Sequence, residues 1–120
     1  MSVEGMWSFA SASKDDGGID SGGVIVLETG RVFGGDSATA YTGSYTVDRG
    51  HFRAEVRAWN WNTSFNHTGE TNVWGQPYPV DIMVIFEGDL VSADQIAGTI
   101  TPVAGGASLD AKLIKICELP

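Results

Sequence analysis

The chain has one cysteine, Cys117, in 120 residues. No intrachain disulfide can form, and a reducing cytoplasm is the expected compartment. No apolar run approaches the ~18 residues that a membrane helix requires, so no membrane span is expected. The opening Met1-Ser2-Val3-Glu4 has neither the basic nor the apolar stretch of a secretory signal, and Met1 speaks against a removed one. Basic residues are scarce: seven Lys and Arg stand against fifteen Asp and Glu, a formal net charge of −8. Phosphate contacts need clustered Lys and Arg, so nucleic-acid binding is not expected. Histidine is rarer still. His51 and His67 are the two in the chain, and neither has a partner at metal-ligand spacing, so no metal site is expected. Asp15, Asp16 and Asp20 surround Gly17 and Gly18, but the distant bidentate Glu of a calcium loop is missing, which leaves a solvated turn. No Gly-x-Ser-x-Gly elbow, phosphate loop or dinucleotide fingerprint occurs. Asp81 and Glu87 flank an apolar strand on its water side, so they do not form an acid–base pair in a cleft. Neither catalysis nor a cofactor is expected.

Glycine is plentiful and proline is not: sixteen against four, spread along the chain. That distribution predicts many short elements joined by turns. No stretch carries the three-and-four spacing of an amphipathic helix; the period is two. From 51 to 60, His51, Arg53, Glu55 and Arg57 point one way and Phe52, Ala54, Val56 and Ala58 the other, a half-buried strand with a charged outer face. Asp48-Arg49-Gly50 before it reads as a turn, with Gly50 free to take positive φ. The same reading gives eight strands, at about 5–12, 22–28, 31–36, 38–47, 51–60, 79–87, 95–102 and 107–116. Breakers such as Glu28-Thr29-Gly30, Gly34-Gly35-Asp36 and Glu87-Gly88-Asp89 separate them. Most gaps are too short for a parallel crossover. The predicted fold is all-β, a single domain over 1–120 formed by a small eight-stranded antiparallel meander barrel. Ala54, Ala58, Gly43 and Gly98 suit its tight curvature; a sandwich is the alternative.

The segment from Asn60 to Pro79 is long for a protein otherwise joined by tight turns, and long loops are often functional. It carries Trp61, Phe65, Trp74 and Tyr78, with Trp59 at its root. These aromatics read as a lid over an apolar ligand, as a partner contact, or as core that plugs the barrel end. Tyr41 and Tyr45 share one strand face with Gly43; if it points inward, two phenols enter the barrel and need hydrogen-bond partners. Two strands are apolar on both faces. Residues 23–27 set Val24 and Val26 against Ile25 and Leu27, and 80–87 leave Met83 and Ile85 between Asp81 and Glu87, opposite Ile82, Val84 and Phe86. One apolar set on each must point out of the barrel. Met83 and Ile85, framed by charges, are the expected interface of a homodimer.

Two stretches carry a resemblance. Gly5-Met6-Trp7 is similar to the Gly-x-Trp of lipocalins, in which the tryptophan closes the barrel bottom beneath a basic residue from the last strand; Lys112 or Lys115 would fill that part. With Gly22-Gly23-Val24-Ile25-Val26-Leu27, Gly30 and the run Gly34-Gly35-Asp36-Ser37-Ala38-Thr39-Ala40-Tyr41-Thr42-Gly43-Ser44-Tyr45, the chain resembles the GrlR-like family of negative regulators of a type III secretion locus. The resemblance covers about 3–60 and implies a lipocalin-like barrel, a homodimer, and action by binding a protein. At the hairpin where the family's regulator presents an acidic run to its activator, this chain reads Thr46-Val47-Asp48-Arg49-Gly50, so that partner does not carry over. The leading expectation is a regulatory module acting through protein–protein contact. The alternative is a carrier or sensor of a small apolar ligand held in the barrel.

Overall fold

Period-two alternation governs the architecture. The structure, a computed structural model, describes residues 2–12, 19–62 and 79–120. In them eight strands follow one another: β1 (Gly5–Ala12), β2 (Ile19–Glu28), β3 (Arg31–Gly35), β4 (Thr39–Asp48), β5 (His51–Asn60), β6 (Asp81–Ser92), β7 (Gln95–Pro102) and β8 (Leu109–Cys117). Each pairs antiparallel with the next, and β1 also pairs with β8, so the meander closes into a barrel consistent with the lipocalin-like one expected. Closure gives each of the eight strands a strand neighbour on both sides, so none is an edge strand. No helix occurs among the described residues. β5 shows how directly the alternation is used. Phe52, Ala54 and Val56 are buried, while His51, Glu55 and Arg57 are exposed.

The two ends of the barrel differ. At one end β2–β3 and β4–β5 are joined by the pairs Thr29-Gly30 and Arg49-Gly50, all four residues with positive φ (50°, 77°, 53° and 80°). Two such residues in succession make the turn whose twist matches that of a hairpin. Ala93-Asp94 joins β6 to β7 at this same end. The connections at the other end are longer: 13–18, 36–38, 61–80 and 103–108.

The tight-turn end is closed by packing. Trp7, Phe52, Leu27, Ile96 and Leu113 are the largest fully buried side chains. The Trp7 indole N–H donates to the Val3 carbonyl oxygen at 2.9 Å, and Val3 is itself buried. Lys115 lies across the same indole, its ammonium 5.8 Å from the ring centroid, within cation–π range. Its side chain is only 8% exposed and ends on Glu118 at 2.8 Å. Lys115 therefore fills the place that the sequence left open between two lysines; Lys112 is exposed. A Cβ on Gly5, whose φ is +149°, would stand 2.7 Å from the Cys117 carbonyl oxygen and 2.8 Å from Lys115 Cε, so the residue two before the tryptophan is small because β8 approaches it closely.

Two strand limits differ from the sequence reading by three residues or more; the others agree to within two. β2 begins at Ile19 rather than 22, and β6 runs on to Ser92. The Glu87-Gly88-Asp89 breaker is thus strand interior. Gly88 faces Gly98 of β7 and lies beside Phe52 of β5. A Cβ on Gly88 would overlap the Ala97 carbonyl, and one on Gly98 the Glu87 carbonyl. Glycine serves close approach of two strands here, not a change of chain direction.

Candidate functional site

Inside the barrel, β4 and β5 supply an aromatic series. Tyr45 stacks on Phe52 (centroids 5.4 Å, 19° between planes), and Phe52 meets Phe86 edge-on at 5.7 Å. Burial holds the Tyr45 phenol above its ordinary value, opposed by a hydrogen bond with the Gly30 backbone. Tyr41, nearer the long-loop end, meets Phe9 edge-on at 6.1 Å. Both side chains pack against the core, so the strand face whose direction the sequence left open is the inward one. Phe9, Tyr41, Ile82, Tyr45 and Leu90 are partly buried around the core. Phe9, Tyr41 and Ile82 lie toward the long-loop end, in contrast to the fully buried Trp7 at the closed end. No buried side-chain nitrogen or oxygen among the described residues lacks a hydrogen-bond partner.

Trp59 and Trp61 lie elsewhere. The alternation that sends Ala58 inward sends Trp59 out, where the Arg57 guanidinium sits 4.2 Å over its ring. Arg57 also donates two hydrogen bonds to Asp81, at 2.9 and 2.8 Å. These hydrogen bonds hold the Asp81 carboxyl below its ordinary value and the guanidinium above its own. Trp61 is 56% exposed, and its indole N–H donates to the Asp36 carbonyl at 3.0 Å, beside the β3–β4 connection. Asp36 caps that connection: its Oδ1 accepts from the backbone N–H of Ala38 and Thr39, at 2.8 and 2.7 Å. The aromatic set is therefore divided, with Tyr41 and Tyr45 inside and Trp59 and Trp61 outside. Phe65, Trp74, Tyr78 and His67 lie outside the described residues, as do Asp15 and Asp16.

The outer wall carries the apolar sets that the sequence required. On β6, Met83 is 44% exposed and Ile85 lies two residues on, with Arg57 and Glu55 of β5 opposite them. Asp81 and Glu87 close the frame along the strand. The set on β2 has company that register alone reveals. Val26 lies between Met6 of β1 and Phe33 of β3, Met6 is paired with Cys117 of β8, and Val24 lies beside Ser8, itself paired with Ile114. Met6, Val24, Phe33, Ile114 and Ile116 are all exposed. They form one apolar face across β8, β1, β2 and β3.

A charged cluster on β5 and β6 was not visible in the sequence. His51 contacts Asp89 and Glu87, residues 38 and 36 positions away, through its two ring nitrogens at 3.1 Å each. Among the described residues no group of three His, Cys, Asp or Glu side chains is placed to hold a metal ion, and no helix is long and apolar enough to cross a membrane. Compared with known proteins, the chain matches no family model and no curated sequence.

Proposed function

We propose that this barrel is a non-enzymatic, cytoplasmic binding module, a regulator that works through protein contact in the manner of the GrlR-like family. The observation that carries this reading is the apolar outer face of Met6, Val24, Phe33, Ile114 and Ile116 on four adjacent strands. Contiguous exposed apolar surface of this kind marks interaction sites. We assign that face to the protein partner. The second apolar set, Met83 and Ile85 within its frame of Asp81, Arg57, Glu55 and Glu87, has the apolar centre and charged rim of an interface. We assign it to a homodimer. An isologous contact uses the same patch on both chains.

Sedimentation tests the assignment. The wild type is expected to be a dimer at tens of micromolar, and Ile85→Asp a folded monomer, because a buried carboxylate without a partner is strongly disfavoured. A monomeric wild type removes the dimer. A folded Ile85→Asp that remains dimeric moves the interface to the β2 face, where Phe33→Asp would then dissociate it.

The second reading, a carrier or sensor of a small apolar ligand, is favoured by the partly buried Phe9, Tyr41 and Ile82 around the core. In that case the ligand packs against Tyr41 and Phe9, and the outer faces contribute nothing to binding it.

A further inference from the structure

We propose that His51 is a pH-sensitive clasp, tying β6 to the end of the β4–β5 hairpin while its ring carries two protons and releasing Asp89 when it loses one. The geometry demands this. Nδ1 lies 3.1 Å from Asp89 Oδ1 and Nε2 lies 3.1 Å from Glu87 Oε2. A neutral imidazole has one donor and one acceptor, and an ionised carboxylate only accepts. With both carboxylates ionised, both contacts are hydrogen bonds only for the imidazolium. A neutral ring sets a lone pair against one of the two carboxylates.

Charges of both signs surround the ring. On β4 the register partner of His51 is Asp48, and Arg49 follows in the turn. On β5 the next outward side chain, Arg53, is paired with Glu55 at 3.0 Å. Beyond β6, the β7 residues opposite Asp89 and Glu87 are the uncharged Ala97 and Thr99. Hydrogen bonding to Asp89, then to Glu87, raises the imidazole above its ordinary value near 6.5. The sign follows. A raised value means that the clasp contributes fully below about pH 6.5, the unfolded histidine's range, and is lost as pH rises through the folded value. Asp89 is the carboxylate that leaves, because its side chain is 82% exposed against 47% for Glu87. The neutral ring then keeps its Nε2–H on Glu87. The hairpin end gains one unit of negative charge and a free carboxylate.

Nitrogen-15 NMR of the imidazole reads this directly, with His51→Gln assigning the signals against those of His67. Below the transition both ring nitrogens should be protonated; above it the Nε2–H form should remain. The transition should lie above pH 6.5 and should move down in Glu87→Gln and in Asp89→Asn. The Leu90 amide, which donates to the Gly50 carbonyl at 2.8 Å, reports on the strand contact beside the clasp. Its exchange protection, corrected for intrinsic rate, should fall through the same transition and stay level in His51→Gln. A transition at or below 6.5, one that ignores both carboxylate variants, an Nδ1–H form at high pH, or a Leu90 protection that follows pH equally in His51→Gln would each overturn the proposal.

Discussion

Gly98→Ala is expected to destabilise the barrel by about 3 kcal/mol or more, at the upper end of overpacking costs. Gly98 of β7 faces Gly88 of β6, and an added Cβ would overlap the Glu87 carbonyl, with the Gly88 Cα and Glu87 carbonyl carbon next in line. All three are backbone atoms of one strand, so no side chain can turn aside; the strands themselves must separate. Gly50 provides the contrast. Its φ is +80°, but a Cβ there meets nothing within 4 Å. Gly50→Asn should cost about 1 kcal/mol or less, because Asn visits the left-handed region readily. Denaturant midpoints with an unchanged slope measure both. A Gly98→Ala protein as stable as wild type would mean that β6 and β7 do not approach as closely as described.

Trp7→Ala carries the second large effect, about 3–5 kcal/mol, as for other buried tryptophans cut back to alanine. Trp7 is fully buried at the closed end, beneath Lys115 and against Val3. Its loss leaves a cavity and strips the Val3 carbonyl of its donor. Lys115→Met keeps the aliphatic stem and removes the charge over the ring, so about 1 kcal/mol is expected for it. Equilibrium unfolding followed by far-ultraviolet circular dichroism compares the two. A Trp7→Ala cost no larger than that of Lys115→Met would show that the closed end is not built around the indole.

Sequence made the barrel legible wherever one strand face is apolar and the other charged, as from His51 to Arg57. It also showed, on β2 and β6, that an apolar set had to face outward. It misplaced the end of β6 because Gly-Asp is turn chemistry in isolation, and only the facing Gly98 reveals why Gly88 is glycine. Trp59 was legible in principle: it continues the outward series of His51, Arg53, Glu55 and Arg57, and the pull of the neighbouring aromatics in the 61–78 segment hid that. What sequence could not supply is register. The face that joins Met6, Val26 and Phe33, and the contact of His51 with Glu87 and Asp89, both depend on which residues of separate strands stand opposite one another.

Native mass spectrometry of the protein purified from its own cells, wild type beside Phe33→Asp, tests the proposed function most directly. Binding through the outer wall predicts a wild-type mass that includes a protein partner, and its loss in a folded Phe33→Asp. A single chain or homodimer carrying a small apolar molecule, unchanged by Phe33→Asp, would contradict it and make the barrel interior the working site.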